Sequence, residues 1–161
     1  MQSLTLTFDL FFQQLENYHR NPKNIIIKAY LVTNEQSHKS HVHKLMGRNC
    51  NEDGVCITPL GENYTAIFQN LGILFVGKKE VPEILYQRKL EEQRLLPAFH
   101  EQVFHMTDSE KSKLREDAEK EAKDMNLNCV RIAFEAYDCS HDISLPIAGP
   151  VYSRAVANQS E

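Results

Sequence analysis

What these 161 residues lack first is a surplus of positive charge: 18 Lys and Arg stand against 22 Asp and Glu, a formal net charge of −4. A small module devoted to nucleic acid is usually basic, so bulk composition argues against that class. No apolar run approaches the roughly 20 residues of a membrane-spanning helix, and no membrane partner is expected. The opening stretch, MQSLTLTFDLFFQQLENY, is mildly apolar, but it has no basic leader and carries Asp9, unlike a secretory signal. The expected compartments are cytoplasm and nucleus.

None of the four cysteines, Cys50, Cys56, Cys129 and Cys139, belongs to a CxxC pair, and the NEDGV between the first two is wider than a zinc knuckle takes. Reduced, buried thiols of an intracellular protein are expected. No G-x-S-x-G, P-loop, G-x-G-x-x-G or H-E-x-x-H occurs, and nothing near the cysteines marks an activated nucleophile. The chain reads as a non-enzyme without a cofactor. His38, His41 and His43 crowd into HKSHVHK. On a strand His41 and His43 would share a face and His38 would not. No carboxylate or cysteine of the segment completes a ligand set, so these read as loop histidines and not as a metal site.

What is present is a run of strand-like segments broken by a helical one. NIIIKAYLVT (24–33) is rich in β-branched residues with apolar side chains on both faces, as in a central strand. A long polar stretch follows, then a short strand in VCITPL and one or two strands in YTAIFQNLGILFV, where Gly72 suggests a bulge or a close backbone approach. From Val81 the period changes. Apolar residues at Ile84, Leu85, Leu90, Leu95 and Leu96 predict a helix, with Pro82 tolerated in its first turn. In TDSEKSKLREDAEKEAKDM, Thr107 and Glu110 form a capping box, and Leu114, Ala118, Ala122 and Met125 make a narrow stripe. Glu116–Lys120 and Glu119–Lys123 have the spacing of favourable helical pairs. CVRIAFEAY then alternates, with Val130, Ile132, Phe134 and Ala136 on one face and Arg131 and Glu135 on the other. ISLPIAGPVYS reads as a proline-interrupted edge segment, and RAVANQSE as a linker or frayed tail. The expected architecture is a β-sandwich with a helical insert at about 81–125.

The charge is unevenly spread. From Thr107 to Asp124, seven acidic residues face five basic ones, so half of the net −4 sits on one helix. A Debye length of about 8 Å screens that charge from distant surfaces. Lys78 and Lys79, after Gly77, can therefore act locally. They read either as a clamp on DNA phosphates or as a solubilising turn.

Five phrases in order, AYLVTN, HVHKLMGRNCNEDGVC, FQNLGILFVGKK, MNLNCVRIAFEAY and PVYSRAVAN, resemble the N-terminal half of the Rel homology region, the DNA-binding region of NF-κB, Dorsal and Relish proteins. The insert and its SEKSKLREDAEKEAKDMNL resemble the precursor-derived, Relish-like class, and the resemblance covers about Asn17 to Asn158. It implies an immunoglobulin-like (p53-like) sandwich that grips κB sites in double-stranded DNA and regulates transcription in immune signalling. In the longer parent it implies Rel-family subunits and ankyrin-repeat inhibitors as partners. It assigns DNA contacts to Lys78 and Lys79, with Glu80 where a third lysine is common, and to Arg154 by a one-residue shift. It implies boundaries at 1–16 (outside the family pattern), 17–152 (DNA-binding subdomain) and 153–161 (linker to a dimerisation domain). The family's base-reading R-x-R-Y-x-C-E-G loop has no counterpart here, where the first arginine is Arg20. Weakened, mostly electrostatic DNA binding is expected. The alternative is a fragment that binds Rel-pathway proteins without DNA, through the acidic helix.

Overall fold

The β-branched run beginning at Ile25 forms the strand on which the rest is assembled. In a computed structural model, residues 2–7 (backbone only), 24–61, 64–95 and 106–157 are described. The strands are β1 (Gln2–Thr7), β2 (Ile25–Thr33), β3 (Lys44–Met46), β4 (Cys56–Pro59), β5 (Thr65–Leu74), β6 (Cys129–Asp138), β7 (Leu145–Tyr152) and β8 (Val156–Ala157). The helices are α1 (Val81–Arg94) and α2 (Asp108–Asp124). By contacts the chain divides into a sandwich unit, Met1–Phe75 with Asn128–Glu161, and a helical unit, Val76–Leu127.

In the sandwich unit, one sheet has the order β4-β2-β6-β7, with β8 also on β6, and the other has the order β1-β5-β3. β2 and β6 pair antiparallel along their lengths, from Ile25 opposite Asp138 to Thr33 opposite Val130. The alternation read in β6 is kept: Val130, Ile132, Phe134 and Ala136 are buried, and Arg131 and Glu135 are not. Their inward faces meet Leu45, Ala66 and Phe68 of the second sheet in one core, with the Phe68 and Phe134 rings 6.1 Å apart. β7 is the edge strand expected, paired to β6 across two irregularities.

The irregularity in β5 lies at Asn70, not Gly72. β1 pairs Gln2 with Leu71 but Leu4 with Phe68, so β5 carries an extra residue there, and Asn70 takes φ 55°. The cause is parity. Ala66 and Phe68 face the core, and so do Leu71 and Ile73, which are an odd number of positions further on. One inserted residue lets both pairs point inward. Asparagine tolerates the left-handed region better than most non-glycine residues.

Two further expectations change. Cys50 and Cys56 are not reduced thiols: they face each other across a β-bridge and are joined as a disulfide, while Cys129 and Cys139 are free. The Asn51 carboxamide oxygen accepts the Asp53 and Val55 amides, which folds NEDGV back on itself and brings the cysteines together. Gly54, at φ +81°, lets this turn lie on Lys44, because a β-carbon there would come 2.7 Å from the Lys44 Cβ. The tail is also ordered further than a linker would be: Val156 and Ala157 pair with Val130 and Cys129.

In the helical unit, Thr107 accepts the Glu110 amide at 3.1 Å, as the capping box predicts. Ala118 is buried, and Leu114, Ala122 and Met125 are half-buried. The ion pairs here link the two helices, Lys89 to Glu121 at 2.8 Å and Arg115 to Glu83 at 3.0 Å, with Arg94–Glu91 along α1. Among the described residues the predicted Glu116–Lys120 and Glu119–Lys123 pairs do not form ion pairs.

Candidate nucleic-acid interface

Lys78 and Lys79 lie in a turn. β5 ends at Leu74, and Gly77 to Glu80 make a closed turn that feeds α1. The Glu80 amide donates to the Gly77 carbonyl at 2.9 Å, and the Gly77 amide donates to the Glu80 carboxylate at 3.2 Å. The two lysines are the central residues of this turn. Both are exposed, and neither enters an ion pair among the described residues. Glu80 spends its carboxylate on the turn's own backbone, which helps fix the shape that exposes the two lysines.

Arg154 belongs to the sandwich unit, in the short break between β7 and β8, which both pair with β6, and is exposed. Its backbone is fixed through Ser153. The Ser153 hydroxyl accepts the Ile132 amide at 2.9 Å and donates to the Arg154 carbonyl at 2.8 Å, while the Ser153 amide donates to the Ile132 carbonyl at 2.8 Å. The lysine turn and Arg154 thus lie in different units.

The sequence reading gave Arg131 no site role. Its Nε donates to the Asn34 side-chain oxygen at 2.6 Å and its Nη1 to the Ser153 carbonyl at 3.0 Å. The available signal was its place on the outward face of an alternating strand. His38 lies at the same end of the sheet. Its Nδ1 is 2.7 Å from the Thr33 carbonyl, so that nitrogen carries the proton, and its ring lies 4.1 Å from that of Tyr152.

His41 and His43 lie in the loop before β3, as expected, but are not exposed there. Both are buried, with ring centroids 4.6 Å apart, and the His43 amide donates to His41 Nδ1 at 3.0 Å. Their segment is drawn in by backbone pairing, since the His41 amide donates to the Leu31 carbonyl and Ser40 bridges to Val32. Among the described residues no three His, Cys, Asp or Glu converge as a metal site would require.

Further along the outward face of β2 and β6 the charges satisfy one another. Tyr30 and Tyr137 donate to the two oxygens of Glu135 at 2.7 and 2.6 Å, and the Lys28 ammonium lies 5.4 and 5.8 Å from their ring centres. Burial, then the bond to Glu135, holds the Tyr30 phenol well above its usual range. The bond to Glu135, then burial, pushes Tyr137 up to about 12.

The family model for the Rel homology DNA-binding domain matches residues 10–159. The chain belongs to that family. This Rel homology domain is 35% identical to the NF-kappa-B p100 subunit of Gallus gallus over 130 residues, covering 79% of this chain and 14% of that protein. It is 35% identical to the p105 subunit of Mus musculus over 131 residues (72% and 13%), and 35% identical to the p110 subunit of Drosophila melanogaster over 125 residues (74% and 12%). The Rel homology domain thus spans about one seventh of the length of the curated relatives it matches. Among solved structures, the Dorsal homologue Gambif1 bound to DNA superposes with a TM-score of 0.59 at 27% identity, covering 84% of this chain and 71% of that one. The sandwich with two inserted helices is the Rel homology fold, and the family is one of DNA-binding transcription factors, not of enzymes.

Proposed function

We propose that this chain holds double-stranded DNA mainly through its phosphates, with Lys78, Lys79 and Arg154 as contacts, as the N-terminal DNA-binding part of a regulator of transcription at κB sites. The observation that carries the reading is the Gly77–Glu80 turn, two exposed, unneutralised lysines in a chain of a DNA-binding family. Cations already committed to ion pairs would release less free energy on meeting a phosphate than these two do. In the same reading, residues 17–152 form the DNA-binding body and 153–161 lead to a dimerisation domain. The longer protein acts in immune signalling, in cytoplasm and nucleus, with Rel-family subunits and ankyrin-repeat inhibitors as partners. With no R-x-R-Y-x-C-E-G loop in these residues, the chain lacks that source of bidentate arginine–guanine contacts, each worth about 1–3 kcal/mol.

The experiment is a salt titration of binding to a κB duplex and a scrambled duplex. Three phosphate contacts give a slope of log K against log salt of about −2.7, nearly the same for both duplexes. Lys78→Ala with Lys79→Ala removes about 1.8 of that slope and leaves the thermal midpoint unmoved. A strong κB preference at physiological salt, or a slope indifferent to the double variant, overturns the proposal.

A further inference from the structure

The polar groups that the site above leaves unexplained centre on Arg131, a half-buried residue whose side chain spans three separate parts of the sandwich unit. Arg131 lies near the start of β6, opposite Val32 of β2. Its two hydrogen bonds reach back 97 residues to Asn34, just after β2, and forward 22 residues to Ser153, just after β7. None of the ion pairs among the described residues involves it. Burying part of a guanidinium without a carboxylate is costly, and both partners here are neutral oxygens. A purely structural cross-link would not require a charge in this place.

The acceptor explains the arrangement. The Ser153 carbonyl belongs to the peptide group that enters Arg154, and the Arg154 carbonyl, on the peptide group that leaves it, accepts the Ser153 hydroxyl. Both peptide groups flanking Arg154 are therefore held, one directly by Arg131 and the other by a serine whose hydroxyl is itself tied to Ile132. The planar fork of arginine lets one side chain bond Asn34 and Ser153 in fixed relative directions, which a lysine ammonium does not do. An exposed side chain on a fixed backbone loses less conformational entropy when it meets a phosphate than one on a loose turn.

We propose that Arg131 is a positioning residue for the DNA contact made by Arg154: it locks the Ser153–Arg154 segment between β7 and β8 so that the Arg154 guanidinium is presented to a duplex phosphate, and it does not itself take a phosphate. The inference rests on the phosphate role given to Arg154 above, and the test separates the two. It is a salt titration of the full 161-residue chain on a scrambled duplex, for Arg154→Ala, Arg131→Gln, the double variant and Arg131→Lys, each checked by a thermal melt. Arg154→Ala lowers the slope by about 0.9, one contact. Arg131→Gln lowers it by about the same amount, the double variant falls no further than either single one, and Arg131→Lys recovers only part of the loss. If Arg131→Gln leaves the slope unchanged while Arg154→Ala lowers it, the positioning role is wrong. If the double variant loses about twice the single value, Arg131 holds a phosphate of its own and the proposal fails. If Arg154→Ala has no effect, the phosphate role of Arg154 fails and takes the positioning role with it. Should Arg131→Gln not fold, Asn34→Ala removes the other anchor. It lowers the slope if Arg131 positions the segment, and an unchanged slope overturns the proposal.

Discussion

The sandwich unit and the helical unit are held together by different physics. The sandwich relies on apolar side chains brought from strands far apart in sequence: Ile27, Phe68 and Phe134 are each no more than 3% exposed and sit in one cluster. In the helical unit the buried set is small, Val81, Leu85 and Tyr86 of α1 with Ala118 of α2, and polar contacts between the helices add to it: the Lys89–Glu121 and Arg115–Glu83 pairs and the Arg115 guanidinium 4.0 Å from the centre of the Tyr86 ring. The cations divide within the helical unit itself: Lys89, Arg94 and Arg115 are committed to carboxylates, whereas among the described residues Lys78 and Lys79, like Arg154 of the sandwich unit, enter no ion pair. An acidic total charge and a local grip on phosphate are compatible when most negative charge is matched in place or lies beyond a Debye length of about 8 Å.

The largest effect that would break this contrast is a cavity in the sandwich. Phe68→Ala removes a ring packed against Phe134 and should cost about 3–5 kcal/mol, read as a lower urea midpoint of the tyrosine fluorescence transition. A loss under about 1 kcal/mol would mean the two sheets are not joined through this core. A smaller effect is expected in the helical unit, where Thr107→Ala deletes the cap of α2 and should cost about 1 kcal/mol. Helical ellipticity should report it. If the core change and the cap change lower both probes together and equally, the two units melt as one and the contrast in cohesion has no thermodynamic meaning.

How much of this was legible in the sequence follows the same division. β2, β6 and α2 announce themselves through short-range pattern, a β-branched run in the first, alternation in the second and a capping box in the third. The bulge at Asn70 was legible too, had the parity of Ala66 and Phe68 against Leu71 and Ile73 been weighed above the lone Gly72. Other features depend on register between distant segments. The Cys50–Cys56 pairing arises from a turn folding back on Lys44, which no count of intervening residues reveals. The burial of His41 and His43 comes from backbone bonds to β2. The site was half visible: two lysines after a glycine mark a cationic spot, but whether they cap a strand or form a turn depends on where β5 stops, and β5 stops at Leu74. Arg131 was invisible as a site residue because its partners, Asn34 and Ser153, become neighbours only when β2, β6 and β7 are in register.

The smallest effect sharpens the comparison from the alkaline side and concerns the sandwich alone. Tyr137 donates to Glu135, and its phenol is raised from 10.0 to about 12 in the folded chain. Between those values the unfolded chain has lost the proton that the folded chain keeps. Its contribution to stability is therefore complete below pH 10 and disappears as pH climbs through about 12. Tyr30, raised as well, acts in the same direction. Tyr137→Phe removes one of these groups, so the fall of the urea midpoint with pH in this window should become shallower than in the unaltered chain. Tyrosinate absorbance should show one fewer late-titrating phenol, and Thr107→Ala should leave the steepness as it was. If Tyr137→Phe titrates with an unchanged slope, the Tyr30–Glu135–Tyr137 cluster is not coupled to folding.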